Sequence, residues 1–166
     1  KIVPKSVIDH FEYGILNLHP SALPKYRGST PLESVILDGS DSTSVSLMQL
    51  DVKMDAGDVY MQQELTGIST ITKQGLADAA GALGAHMIID ALPQILDGSL
   101  TPKPQDESQA TITKQIGKRD GQIDWSKSAN LIEREIRAYA GWPGSQTEIN
   151  GKPVIITEAE VTAESG

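Results

Sequence analysis

The sequence predicts an α/β fold, and three observations carry that prediction. Runs with a strand's period of two alternate with runs of helical period over the first hundred residues. A polar stretch containing Pro102, Pro104 and two glycines then breaks the pattern from Leu100 to Gly121. Beyond it come another amphipathic helix and two short β-rich runs joined by Asn150-Gly151, the strongest short-range hairpin signal. The order is α/β unit, linker, helix and hairpin, which reads as one domain followed by the beginning of another.

Tyr13-Gly14-Ile15-Leu16-Asn17-Leu18-His19 reads as a short buried strand with polar residues at its far end. Pro20 to Pro31 fits neither period and is a loop. Thr30-Pro31 starts a helix, with threonine as cap and proline at the first position. That helix runs through Leu32, Val35, Ile36 and Leu37 and stops at Asp38-Gly39. Thr43 to Leu50 and Val59 to Leu65 read as strands flanking a polar loop, Asp51 to Asp58.

From Thr72 to Leu96, Leu76, Ala80, Leu83, Met87, Leu92, Ile95 and Leu96 recur at helical spacing, and Asp97-Gly98 ends the run. Gly81 and Gly84 each cost this helix about 1 kcal/mol relative to alanine, which predicts a packing reason for them. Ser126 or Ser128 caps the last helix, whose apolar face holds Leu131, Ile132, Ile136 and Tyr139.

Composition bounds the function. With 39% hydrophobic and 22% charged residues, the 166-residue chain is ordinary for a globular protein. No run approaches the roughly 18 apolar residues of a membrane span, so no membrane partner is expected. There is no cysteine, which removes disulfides, thiolate metal sites and a cysteine nucleophile, and fits a reducing compartment. The first residues lack the apolar stretch of a signal peptide and also lack an initiator methionine, so the chain is expected to be cut from something longer. The net charge of −8 excludes a basic surface over the whole molecule. Residues 1–100 hold 6 Lys/Arg against 12 Asp/Glu, and residues 101–166 hold 8 against 10, so the acidic excess lies mostly in the first part.

Asn17 and His19 stand two apart on a strand, so their side chains point to one side, roughly 7 Å apart. They sit where the strand gives way to a loop, the usual place for a pocket in an open α/β sheet. The Asn17 amide can donate to a developing oxyanion. His19 can be a second donor or can take a proton. The alternative, a turn-capping asparagine and a satisfied buried imidazole, is the commoner use of such a pair. Asp51, Asp55 and Asp58 crowd one loop, and spacing does not choose which of them, if any, reaches His19. His10, His19 and His86 match no metal-ligand spacing, so no metal is expected; there is also no Gly-x-Ser-x-Gly elbow and no glycine-rich phosphate loop.

Asn17-Leu18-His19-Pro20-Ser21-Ala22-Leu23-Pro24-Lys25-Tyr26-Arg27-Gly28 closely resembles the Asn-x-His-x-Ser-Leu-Leu-Pro-x-Tyr-Arg-Gly signature of the formyltransferase family. A second match is Met48-Gln49-Leu50-Asp51 through Met54-Asp55-Ala56-Gly57-Asp58. A third comprises Ile123-Asp124-Trp125-Ser126, Ile132-Glu133-Arg134, Ile136-Arg137-Ala138 and Trp142-Pro143-Gly144, which looks like the linker and C-terminal domain of the methionyl-tRNA branch. The sequence departs from the pattern at Ala22, where leucine is usual, at Arg119, where an acidic residue is common, and at Gly141, where proline is usual.

The resemblance implies a Rossmann-like formyltransferase core over residues 1–100, a linker over 101–118 and the start of an OB-like C-terminal β-barrel over 119–166. It implies that Asn17, His19 and Asp55 are catalytic, and that Ser21, Ala22, Leu23 and Pro24 line the site of 10-formyltetrahydrofolate. In the implied chemistry an amine attacks the formyl carbon, Asn17 and His19 stabilise the oxyanion, and Asp55 supports the charged His19. Neither a metal nor a covalent enzyme intermediate is needed. The implied acceptor is initiator methionyl-tRNA, with Lys114, Lys118 and Arg119 available for its phosphates. A monomer in the cytoplasm of a bacterium is expected, or its equivalent in a mitochondrion or plastid. The alternatives are a sugar-nucleotide N-formyltransferase, a folate deformylase using water as acceptor, and an inactive tRNA-binding fragment. The family's N-terminal strands and most of its barrel are missing from the sequence, so it is expected to be a fragment.

Overall fold

The computed structural model describes residues 3–162. Its elements in chain order are α1 (Lys5–Ile8), β1 (Leu16–His19), α2 (Pro31–Asp38), β2 (Ser42–Gln49), β3 (Val59–Thr66), α3 (Lys73–Leu96), α4 (Ala129–Ala138), β4 (Ser145–Ile149) and β5 (Lys152–Ile156). Two 3₁₀ turns, Glu107–Gln109 and Lys118–Gly121, lie between α3 and α4. β1, β2 and β3 form one antiparallel sheet in that order, and β4 and β5 form a separate hairpin.

The sheet alternates as its sequence requires. Leu16 and Leu18 of β1, with Val45 and Leu47 of β2, pack under α3 against Ala80, Met87, Ala91 and Ile95. Asn17 and His19 project to the other face, opposite Met48 and Ser46 of β2. β1 is shorter than the run from Tyr13 predicts. Gly14 turns the chain at φ +70°, its N–H bonded to the Phe11 carbonyl, and Tyr13 is left exposed.

Most local signals are realised where they stand. Thr72 caps α3 by accepting from the Gly75 N–H, and Ser128 rather than Ser126 caps α4 by accepting from Leu131. Asn150 and Gly151 both have positive φ, as a tight hairpin turn demands. Thr30 precedes α2 but does not cap it: its hydroxyl donates to the Lys114 carbonyl instead. Of the two glycines in α3, Gly84 has a packing reason, since a Cβ there would lie 2.7 Å from Leu18 Cδ1. Gly81 has none, because a Cβ there meets no atom within 4 Å.

By length and mean hydropathy α3 is apolar enough to cross a membrane, although polar residues such as Asp78, His86 and Asp90 interrupt it. The stripe Leu76, Ala80, Gly84, Met87, Ala91 and Ile95 is buried on the sheet side, while Ile89, Leu92 and Leu96 are exposed.

The stretch from Leu100 to Gly121 is not a free linker. Lys103 pairs with Val59, and Ile112 pairs with Arg27. Ile116 enters a core shared by Val35 and Ile36 of α2, Leu76 of α3 and Ala138 and Tyr139 at the end of α4. α4 is therefore packed against the first α/β unit, and Arg137 Nη1 donates to the Ile71 carbonyl across that junction.

Candidate active site

His19 ends β1 and is 5% exposed. Its Nε2 lies 2.9 Å from the carbonyl oxygen of Tyr26. A carbonyl only accepts, so Nε2 carries the proton and donates. In the neutral ring Nδ1 is then the lone-pair nitrogen, and it faces Asp55 Oδ2 at 3.8 Å, beyond a hydrogen bond but within ion-pair reach. Asp55 is placed by the signature loop itself, since its Oδ2 accepts from the Gly28 N–H at 2.7 Å.

Of the three loop aspartates, Asp55 alone is brought to His19 among the described contacts. Asp51 Oδ1 instead accepts from the Lys53 N–H, an ordinary turn bond, and Asp51 is exposed. Asn17 is half-buried on the same face as His19, and no hydrogen bond among the described residues uses its side chain. Its amide is therefore available to a ligand.

Two residues around His19 hold left-handed backbone conformations without being glycine: Tyr26 at φ +58° and Asp55 at φ +50°. Such conformations cost about 1–3 kcal/mol and persist where neighbours over-determine them. Tyr26 is fixed by its hydroxyl, which donates to Asp38 Oδ2, and by its N–H, which donates to Thr111 Oγ1. Its turned backbone delivers the carbonyl to His19. Burial, followed by the neighbouring Asp38 carboxylate, raises the Tyr26 phenol above its ordinary value.

The segment Ser21–Pro24 divides by facing. Ser21 and Leu23 are buried. The Ser21 hydroxyl donates to the Lys25 carbonyl, and Ser46 Oγ donates to the Ser21 carbonyl while accepting from the Leu23 N–H. Gln62 of β3 completes the support, donating to the Leu23 carbonyl and to Ser46. Ala22 and Pro24 remain partly accessible.

Arg27 is 6% exposed and points away from His19. Its guanidinium grips Glu107 through both carboxylate oxygens and Gln105 through one amide oxygen. Those hydrogen bonds from Arg27 hold the Glu107 carboxyl below its ordinary range. The Gln105 amide nitrogen in turn donates to the carbonyls of Asp55 and Gly57. None of Gln105, Glu107, Ser46 or Gln62 is visible as functional in the sequence, because each acts through partners far along the chain. Among the described residues no group of three or more His, Asp or Glu side chains is arranged to hold a metal. His10 and His86 are exposed and lie outside the site.

A buried histidine at a strand end, a carboxylate facing its free nitrogen and an unengaged asparagine amide beside it bring together a proton acceptor, a counter-charge and a hydrogen-bond donor. The family model for formyl transferases matches residues 1–92, and that for the formyl transferase C-terminal domain matches residues 115–166. The chain belongs to the formyl transferase family, with its Rossmann-like N-terminal unit followed by the start of its C-terminal domain. A methionyl-tRNA formyltransferase of Chloroflexus aurantiacus is 41% identical over all 166 residues, which are 54% of its own length. One from Rickettsia bellii is 37% identical over 163 residues, covering 98% of this chain and 53% of that protein. The chain thus spans about half the length of the curated relatives it matches. Among solved structures, an N-formyltransferase from Helicobacter canadensis bound to folinic acid and dTDP-3-aminofucose shares the fold at TM-score 0.81 and 23% identity, covering 99% of this chain and 60% of that one. A methionyl-tRNA formyltransferase from Clostridium thermocellum shares it at TM-score 0.69 and 23% identity, covering 94% of this chain and 72% of that one.

Proposed function

We propose that the protein carrying this chain transfers a formyl group from 10-formyltetrahydrofolate to the amino group of initiator methionyl-tRNA. The observation that carries the reading is the His19 arrangement, with Nε2 tied to Tyr26 and Nδ1 open toward Asp55 at 3.8 Å. In that arrangement His19 Nδ1 accepts the proton released by the attacking amine, and the Asp55 carboxylate stabilises the resulting imidazolium. Asn17 donates to the oxygen that gains negative charge at the formyl carbon. The same tautomer means that His19 donates to that oxygen only after it has been protonated. The folate supplies the formyl group: when the tetrahedral intermediate collapses, the bond from the formyl carbon to N10 breaks, and N10 of the departing tetrahydrofolate takes up the proton that His19 accepted. The Ser21–Pro24 segment, of which Ala22 and Pro24 are the more accessible members, borders it. No step requires a metal.

The acceptor assignment is supported by relatives named methionyl-tRNA formyltransferase that match through the whole chain, including residues 101–166. Lys118 and Arg119 are exposed there, whereas Lys114 is engaged with Asp120 at 2.8 Å. The first two are the better candidates for tRNA phosphates. A monomeric, cytoplasmic enzyme fits such a role in translation initiation. The second reading, a sugar-nucleotide N-formyltransferase, is favoured by the shared fold of the Helicobacter canadensis enzyme. The two separate when the full-length protein is offered methionyl-tRNA and an amino sugar nucleotide in parallel, with 10-formyltetrahydrofolate as donor. Formyl-methionyl-tRNA is the expected product; formylation of the sugar alone sinks the tRNA assignment, and formate release without either acceptor indicates a deformylase.

A further inference from the structure

Asp55 is the least self-sufficient member of the site. Its backbone is left-handed at φ +50°, in a loop that also contains Gly57, where a Cβ would lie 1.9 Å from the Gln49 carbonyl oxygen. The loop cannot relax in that direction, and it lies at an edge of the fold rather than in the sheet. Its carboxylate is held by the Gly28 N–H. Its backbone is held by one side chain from elsewhere: Gln105 Nε2 donates to the Asp55 carbonyl at 2.9 Å and to the Gly57 carbonyl at 2.7 Å. The other end of the same amide is fixed, because Gln105 Oε1 accepts from Arg27 Nη2 at 2.8 Å and from Nε at 3.1 Å. Arg27 is itself oriented by its two-oxygen grip on Glu107.

We propose that Gln105 is a positioning residue for formyl transfer, holding Asp55 toward His19 under the control of Arg27. The inference rests on the formyl-transfer reading for its kinetic consequence but not for its structural one. Only a neutral primary amide suits the position. It must accept from a guanidinium at one atom and donate to two carbonyls at the other. A glutamate keeps the acceptor, loses both donors and sets a negative charge against two carbonyl oxygens. A methionine of similar size loses both functions. A displacement of about 1 Å at Asp55 is of the size that costs orders of magnitude in rate without touching substrate affinity.

The test uses the full-length protein that carries this chain. Gln105→Met and Gln105→Glu are each made alone and in an Asp55→Ala background. The expected result is a kcat about tenfold or more lower for each single variant, with KM for donor and acceptor changed less than about twofold. In the Asp55→Ala background the same substitutions have no further effect on kcat, because Gln105 acts through Asp55. Equal losses in both backgrounds, or an unchanged kcat in the single variants, overturn the proposal. Amide hydrogen exchange supplies a readout independent of activity: peptides covering residues 51–58 lose protection in Gln105→Met, while those of β2 and α3 keep theirs. Unaltered exchange at 51–58 overturns the proposal even if no amine is formylated. A wild-type protein that formylates no acceptor defeats the functional reading and leaves the exchange result to decide on Gln105.

Discussion

The His19 ring is oriented by the Tyr26 carbonyl, 2.9 Å from Nε2, seven residues further along the chain. The nitrogen left for chemistry is Nδ1, on the side where Asp55 lies. In the full-length protein, Asn17→Ala, His19→Ala and Asp55→Ala are each expected to lower formyl transfer on the order of 100- to 1000-fold. Asp51→Ala serves as the internal control and keeps near-normal turnover, since Asp51 only closes a turn onto Lys53. Steady-state kinetics on the four variants decides it; a fully active Asp55→Ala would mean that another carboxylate serves His19.

The two glycines of α3 are expected to answer differently to the same substitution. Gly81→Ala gains helix propensity with no steric contact and stabilises by about 0.5–1 kcal/mol. Gly84→Ala gains the same term but drives a methyl into Leu18 of β1, an overpacking cost of about 1–3 kcal/mol. Urea unfolding of both variants should rank Gly81→Ala above Gly84→Ala, and the reverse order would contradict the packing of α3 on β1.

Tyr139 gives an alkaline signature. Burial, with help from the nearby Glu135, Asp120 and Glu33 carboxylates, pushes its phenol up to about 12. The folded state then keeps a proton that the unfolded state loses near pH 10. Stability from this group is complete below pH 10 and is lost as pH rises through 12. Tyr139→Phe should therefore flatten the fall in thermal midpoint between pH 10 and 12, measured against the wild type by calorimetry.

Thr43 is 7% exposed, and its hydroxyl finds no hydrogen-bond partner among the described residues. An unsatisfied buried hydroxyl costs about 1–3 kcal/mol, and valine fills the same volume in a strand without it. Thr43→Val should raise stability by about 1 kcal/mol. A loss of stability in denaturant unfolding would show that the hydroxyl has a partner after all.

The parts of the fold written in short-range signals are legible from the sequence. The start of α2 at Pro31, its end at Gly39 and the Asn150-Gly151 turn each depend on neighbours within a few residues. What escapes is set by distant partners. The Thr30 hydroxyl looks like a helix cap until Lys114, 84 residues away, takes it. The 101–118 stretch reads as a linker because its bonds to Arg27 and Val59 leave no periodic trace. Gly141 replaces a usual proline, and its φ of +81° is one that proline cannot adopt, so the local backbone differs there from what the family pattern implies. In the site, strand alternation puts Asn17 and His19 on one side. Which loop aspartate faces them came from resemblance, and the facing of Ser21 and Leu23 came only with the structure.

Because residues 103–113 are bonded to the signature loop, the Asp55 loop and β3, the two matched segments of this chain do not part at residue 92. A chimera joined near residue 92, where the first family match ends, would give each catalytic loop a foreign crosspiece. Exchanging C-terminal segments with relatives therefore calls for a junction beyond Lys114, so that Arg27 travels with its own Gln105 and Thr30 with its own lysine carbonyl.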